Sequence, residues 1–172
     1  SPEFELLDTG IFKDNRYFDC FIEYAKDETT DILMKITVYN RGPEPATIHV
    51  LPHLWFRNFW KHNPRFTKPE IISLSPNCIQ TSSSRNGSYF LYHEGGEQLF
   101  CDNETNNQRM YNRPNDSDYV KDGINNFIIN ADQTVNPQLR GTKAAIWMKR
   151  KIMSNGSVTF KVRLSKHEIK DP

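Results

Sequence analysis

The stretch AAIWMKRKIMSNGSVTFKVRLS, residues 144–165, decides the fold class. Across its second half, Ser157 to Ser165, polar side chains alternate with the apolar residues Val158, Phe160, Val162 and Leu164. A period of two predicts a strand with one buried face and one solvent-exposed face. Burial of those four side chains contributes about 6–12 kcal/mol, whereas ordering nine backbone residues costs about 9–18 kcal/mol. The strand therefore requires sheet partners and a second layer.

The run from Ala144 to Met153 precedes this strand and predicts a β-hairpin with it. A two-residue Asn155-Gly156 turn would place lysines on the apolar face. A three-residue loop, with Gly156 in the left-handed conformation, avoids this conflict, and we predict that loop. The predicted pairs are Ile152 with Val158, Met148 with Val162, and Ile146 with Leu164, and on the outer face Trp147 with Arg163 and Lys149 with Lys161.

Three upstream runs, Tyr17 to Lys26, Asp31 to Asn40 and Ala46 to Phe56, are predicted to form a meander. The turn residues of Arg41 to Pro45 separate the second run from the third. Because Pro52 cannot donate a ladder hydrogen bond, it predicts a bulge or an edge position in the third strand.

Shorter strand candidates follow, and no segment has a sustained helical period. These candidates are Ile71 to Leu74, Asn77 to Gln80, Ser88 to His93, Gln98 to Cys101 and Ile124 to Asn130. Many short strands broken by Gly, Pro and Asn predict an all-β protein, an antiparallel β-sandwich with long polar loops and at most short helices. A closed barrel is the all-β alternative.

Two segments define the predicted domain organisation. Residues 1–4, Ser-Pro-Glu-Phe, are typical of a cloning-linker remnant, and residues 5–172 are predicted to be a single β-sandwich domain. We expect this domain to be a fragment of a larger multidomain protein.

Composition excludes several classes of partner. Lys and Arg number 22 and Asp and Glu 21, so the net charge is small. No strong electrostatic field therefore favours binding to nucleic acid or to a membrane. The three cysteines, Cys20, Cys78 and Cys101, lack metal-site spacing, and no cofactor is predicted. With no apolar run of membrane-spanning length and no leader, we expect a cytoplasmic protein. Sequons at Asn86, Asn103, Asn115 and Asn155 leave a secretory compartment open.

Two pairs of carboxylates occur in a long polar segment, Asp102 to Lys143. Asp102 and Glu104, like Asp116 and Asp118, are two residues apart, which on an extended chain separates them by about 6.6 Å. That separation would suit a glycosidase acid and base. We interpret both pairs as turn-capping groups and assign no catalytic residue. His49 and His53 lack a third ligand, so no metal site is predicted.

Aromatic residues cluster at 55–60, around Arg57. Such a cluster either packs in the core or stacks on a sugar ring or a protein partner. Strand alternation predicts that Phe56 points inward with Leu54, which leaves Trp55 and Arg57 on the opposite surface.

Seven strings in the sequence resemble the N-terminal region of glycoside hydrolases of family 63 type, relatives of mannosyl-oligosaccharide glucosidase. They are ELLDTGIF (5–12), RYFD (16–19), EYAK (23–26), NRGPEPATIHVLPHLWFRN (40–58), DNETN (102–106), YVKDGI (119–124) and RGTKAA (140–145). The resemblance implies a super-sandwich-type domain that packs against an (α/α)6 barrel of the same polypeptide. In such an enzyme, α-glucosidase-like, the catalytic carboxylates belong to the barrel, so the isolated chain is predicted to be inactive.

The resemblance also gives the long polar segment a candidate role, in facing the barrel or lining one wall of its sugar site. An equal alternative is that the polar segment only forms part of the edge of the sandwich. The candidate carbohydrate-binding or interdomain residues are Trp55, Arg57, Trp60, Asp102, Asn103, Glu104, Tyr119, Lys121 and Asp122. The rival function is a stand-alone module that binds an oligosaccharide or another protein.

Overall fold

The computed structural model describes residues 3–170, in which eleven strands form two antiparallel sheets. Ser1 and Pro2 of the predicted linker remnant, and Asp171 and Pro172 of the predicted domain, lie outside the described residues. The strands are β1 (Phe18–Glu28), β2 (Asp31–Asn40), β3 (Ala46–Val50), β4 (His53–Trp55), β5 (Glu70–Ser75), β6 (Cys78–Ser83), β7 (Gly87–His93), β8 (Glu97–Cys101), β9 (Arg140–Gly141), β10 (Lys143–Ile152) and β11 (Ser157–Ser165). The predicted all-β sandwich is confirmed, and residues 3–170 do not form a closed barrel.

The large sheet has seven strands in the order β1-β2-β11-β7-β6-β5-β9. The small sheet is centred on β10, with β8 along one edge. Along the other edge β3 and β4 follow each other in one register, from Ala46 opposite Ile152 to Trp55 opposite Lys143. Pro52 lies between them, and its carbonyl accepts from the Ile146 amide at 3.0 Å. The predicted edge position of Pro52 is confirmed, and the continuous register leaves no bulge there.

Helices are short, as expected: α1 (Asn107–Tyr111) and α2 (Gly123–Asn130), besides single 3₁₀ turns at Leu6–Thr9 and Lys13–Asn15. No helix within residues 3–170 has the length and apolar character needed to cross a bilayer. The prediction of a strand at Ile124 to Asn130 was wrong, because this segment is α2. Its apolar residues Ile124, Phe127 and Ile128 have helical spacing and cover the outer face of the small sheet at Leu99, Cys101 and Ala145.

The predicted hairpin of Ala144–Met153 with Ser157–Ser165 was also wrong. The two strands lie in different sheets, because β11 is paired on both edges, with β2 and with β7. The connection between them is an arch in which the Gly156 amide donates to the Met153 carbonyl at 2.9 Å. The left-handed residue is Asn155, with φ of 55°, and not Gly156. The predicted neighbours Trp147 with Arg163, and Lys149 with Lys161, therefore lie in separate sheets.

The predicted meander is correct for β1 and β2, which pair from Phe18 opposite Asn40, but β3 crosses to the small sheet. The core between the sheets explains both errors. Apolar side chains of β2 and β11 meet those of β10 across the sandwich, as Val38, Phe160 and Met148 do. Alternation identifies the buried face of a strand but not whether its apolar neighbour lies beside it or opposite it.

Asn40 joins the two sheets where both arches begin. Its side chain is buried, and Nδ2 donates to the carbonyls of Glu44 at 2.8 Å and Ile152 at 3.1 Å. Oδ1 accepts from the Gly42 amide at 2.9 Å. One side chain therefore satisfies backbone groups of the β2–β3 arch and of the end of β10, and its bonds to Gly42 and Ile152 are buried.

We expect Asn40→Ala to destabilise the domain by about 3 kcal/mol or more, or about 6–12 °C in melting temperature, since several buried backbone groups lose their partners. Thermal unfolding followed by circular dichroism measures this loss. The matched control is Asn86→Ala in an exposed turn, which should change the free energy of unfolding by less than about 0.5 kcal/mol. Equal effects of the two substitutions would contradict the role given to Asn40.

His93, at the end of β7, is a buried titratable group with a defined tautomer. Its Nδ1 donates to the Gly95 carbonyl at 2.9 Å, and Nε2 accepts from the Gln98 amide at 2.9 Å. Burial lowers the pKa of His93, and the hydrogen bond to Gly95 offsets this only in part. The imidazole is therefore neutral in the folded protein.

This shift makes stability depend on pH. Because the pKa of His93 is lower in the folded than in the unfolded chain, the unfolded chain binds the extra proton below about pH 6.5. The free energy of unfolding should therefore fall as pH drops from about 6.5 through the folded pKa. Urea unfolding between pH 7.5 and 5 should give a shallower slope for His93→Gln than for the wild type. An unchanged slope would exclude His93 as the source.

Candidate functional site

The polar segment after β8 is held by hydrogen bonds to a second extended stretch. The Asp102 amide donates to the Tyr119 carbonyl at 2.7 Å, and the Lys121 amide donates to the Glu104 carbonyl at 3.1 Å. These bonds bring six of the nine candidate residues side by side: Asp102, Asn103, Glu104, Tyr119, Lys121 and Asp122. Neither stretch belongs to a sheet, so strand patterns in the sequence could not have paired them.

Asn103 connects these stretches to the chain that follows β4. Its Nδ2 donates to the Phe56 carbonyl at 2.8 Å, and its own carbonyl accepts from Asn58 at 3.2 Å. Its amide donates at 2.8 Å to the hydroxyl of Thr142, a buried residue at the point where the chain passes between the sheets. Both sheets therefore fix the position of Asn103.

Trp60 and Glu104 meet as a result. The Trp60 indole Nε1 donates to Glu104 Oε1 at 3.1 Å. Glu104 is only 6% exposed, and among residues 3–170 its Oε2 has no hydrogen-bond partner. The nearest cation, Lys61 Nζ, lies 3.7 Å from Oε2. We call Asn58, Trp60, Lys61, Asn103, Glu104 and Lys121 the Trp60–Glu104 cluster.

Lys61 is shared between two carboxylates. Its ammonium donates to Asp116, and this bond, with the charges of Asp116 and Glu104, raises the pKa of Lys61. The same hydrogen bond lowers the pKa of Asp116. Lys61 therefore stays charged: its hydrogen bond goes to Asp116, and it forms an ion pair at 3.7 Å with Glu104 Oε2, longer than a hydrogen bond.

An open groove of about 340 Å³ lies over the cluster. Its lining residues include Asn58, Lys61, Asn103, Glu104 and Lys121. Such a surface offers several donors and one strong acceptor but little apolar area, so it suits a hydroxyl-rich or charged polar group.

The other acidic candidates have partners within the domain. Asp102 pairs with Lys68 at 3.0 Å, and Asp122 accepts from Asn106 at 3.1 Å and pairs with Arg109 at 3.4 Å. Asp122 thereby links the residue before α1 to the start of α2. These contacts favour a structural role for both aspartates.

Trp55 and Arg57 do not join the cluster. Trp55 is 58% exposed on the edge strand β4, and the Arg57 guanidinium lies over the Phe59 ring, 4.9 Å from its centre. Leu54 and Phe56 pack on the core, as the alternation predicts. Sequence reasoning missed Asn58 and Lys61, although both adjoin the aromatic run that drew attention to Trp60.

A larger groove, about 550 Å³, lies on the outer face of the large sheet. Its charged groups already form ion pairs, Lys35 with Glu23 at 2.6 Å, Lys161 with Glu94 at 3.2 Å and Arg163 with Asp31 at 2.8 Å. Arg163 lowers the pKa of Asp31 through this contact. Since these groups are satisfied internally, the groove is a weaker candidate than the Trp60–Glu104 cluster.

Comparison with known proteins gives one informative match, and no protein-family model matches the chain. The sequence is 27% identical over 201 aligned residues to a Saccharomyces cerevisiae protein named "Uncharacterized protein YMR196W". The alignment covers 95% of this chain but 18% of the yeast protein. The chain therefore spans about a fifth of the length of the curated relative that it matches.

We expect Trp60 and Glu104 to be energetically coupled. We make a double-mutant cycle of Trp60→Phe and Glu104→Met, in which each single change should destabilise the domain. Either change removes the hydrogen bond to the buried carboxylate, and the double change cannot remove it a second time. The coupling energy should therefore be about 1–2 kcal/mol. Urea unfolding measures all four free energies. Additive effects would show that the indole and the carboxylate do not interact.

Proposed function

We propose that this chain is the non-catalytic N-terminal accessory domain of a family 63-type glycoside hydrolase with α-glucosidase-like activity. It packs against an (α/α)6 catalytic barrel of the same polypeptide, with the Trp60–Glu104 cluster facing the barrel or its sugar site. Two findings support this proposal: the resemblance of the DNETN and LWFRN strings to that family, and the much greater length of the yeast relative.

The proposal rests on the burial of the Glu104 carboxylate and on the hydrogen bond that its Oε2 lacks. A buried carboxylate oxygen without a donor is costly, typically about 1–3 kcal/mol or more. Glu104 is held in place by Trp60, yet among residues 3–170 its buried Oε2 has no hydrogen-bond donor and only the 3.7 Å ion pair with Lys61. Glu104 also lines the open groove of polar residues. A donor from outside the domain, either a backbone amide or side chain of the barrel or a sugar hydroxyl, would complete the site.

The chemistry of hydrolysis would then belong to the barrel. An inverting glycosidase uses one carboxylic acid to protonate the leaving oxygen and one carboxylate to activate water. On this chain the tasks are positional: Asn103 and Lys121 orient polar groups beside the groove, and Glu104 accepts a hydrogen bond. We assign no catalytic residue within these 172 residues.

One observation favours a second candidate function. Trp55, 58% exposed, offers an aromatic face of the kind that stacks on sugars or anchors protein interfaces. A stand-alone carbohydrate-binding or protein-interaction module would use Trp55 without a barrel. Titration of the 172-residue chain with oligosaccharides separates the two: saturable binding that Trp55→Ala abolishes would favour the module.

The accessory role predicts that α-glucosidase activity requires the complete gene product. The complete gene product should hydrolyse α-glucosides with inversion, whereas the 172-residue chain should not. Glu104→Gln in the complete protein should lower kcat/KM by about 10- to 100-fold without abolishing activity, since one hydrogen bond to a charged group is weakened. Initial rates and NMR of the released anomer measure these outcomes.

The control for that experiment is Asp118→Asn, an exposed carboxylate of the same polar segment, which should leave kcat/KM unchanged. The proposal fails if the 172-residue chain itself hydrolyses glucosides and loses that activity in Asp102→Asn or Glu104→Gln. It fails equally if the complete protein has no activity on any α-glucoside.

A further inference from the structure

The strand β1 has one unpaired edge. Within the described residues it pairs only with β2, and it is 11 residues long. Edge strands are normally short, bulged or interrupted by proline, because an open row of backbone donors and acceptors invites pairing. From Phe18 to Lys26 β1 pairs with β2 without a bulge and contains no proline. It is therefore a long, regular template for another strand.

The face of β1 that continues the core is exposed. Ile22 lies opposite Ile36, and Tyr24 lies opposite Met34, so each pair points to the same side of the sheet. Ile36 is 6% exposed, whereas Ile22 is 54% and Tyr24 69% exposed. Cover by the small sheet therefore ends between β2 and β1.

The two arches explain where that cover ends. Residues 41–45 join β2 to β3, and residues 153–156 join β10 to β11. Because β2 neighbours β11 and β3 neighbours β10, uncrossed connections place β3 over β2. The outer edge of β3 is unpaired in the described part of the chain and borders the space above β1. Both sheets are thus open on the same side.

We propose that a strand-forming segment of the longer polypeptide, outside these 172 residues, pairs with β1 and covers Ile22 and Tyr24, closing the sandwich on its open side. The length of the yeast relative supports this occupant, since the chain corresponds to 18% of it. The inference does not depend on the proposed glycosidase function, because it concerns only completion of the fold.

Two central registers for pairing of β1 with a second copy of the chain are unfavourable. β1 carries four acidic residues and one lysine. Two-fold pairing of β1 with itself centred on Glu23 would place two carboxylates opposite each other. Centred on Ile22, it would place Phe21 opposite Glu23. An apolar strand with neutral or basic polar positions complements β1 better than β1 itself does.

Hydrogen exchange on the complete gene product tests the proposal. The β1 amides that do not bond to β2 should exchange about 100-fold more slowly than the amides of the exposed segment 3–15, as expected for a strand paired on both edges. Exchange of these outward amides as fast as that of residues 3–15 would overturn the proposal. A complete gene product that ends with these 172 residues would overturn it as well.

Substitution in the complete gene product provides an independent readout. Ile22→Lys should lower the melting temperature by several degrees, because the lysine would be buried under the added segment. The matched control is Leu74→Lys on β5, a 47% exposed leucine, which should have little effect. Equal effects of the two changes would overturn the proposal. So would a dimer of the complete protein that Ile22→Lys converts to monomers, because β1 would then pair with a second copy.

Discussion

Two arches that cross between the sheets, joined by the buried side chain of Asn40, determine the arrangement of the whole domain. Asn40 ends β2 and bonds to the Ile152 carbonyl of β10. The chain can therefore change sheets at this point without leaving buried carbonyls unsatisfied. Once β2 and β11 lie in one sheet and β3 and β10 in the other, their apolar faces must meet across the core.

The Trp60–Glu104 cluster depends on this arrangement at the opposite end of β10. There the chain returns from β9 through buried Thr142, whose hydroxyl accepts the Asn103 amide. β4 ends beside the same residues of β10, so the loop carrying Trp60 reaches the segment carrying Glu104. The backbone of both sheets thus fixes the loops that bury the Glu104 carboxylate beneath Trp60.

Sequence patterns located most of the strands and the buried faces of the most regular ones, although they gave a strand where α2 forms. Alternation located β11, β2 and the inward Phe56, and the missing amide of Pro52 located an edge. Which strands pair with each other was harder to predict from the sequence. The reason is that β10 is apolar on both faces, with Ala144 in the central core and Ala145 beneath α2. The helix α2 has only two turns, too few for its period to stand out. Contact between Trp60 and Glu104 spans 44 positions and two loops, for which local patterns give no signal.

We propose that this domain is one part of a larger folded unit, with the Trp60–Glu104 cluster directed toward a helical barrel. A cryo-EM structure of the complete gene product tests that claim most directly. The account predicts that Asn103, Glu104 and Lys121 contact a helical domain of the same polypeptide or border its substrate cavity. A structure in which this cluster faces open solvent, away from every other domain, would contradict it.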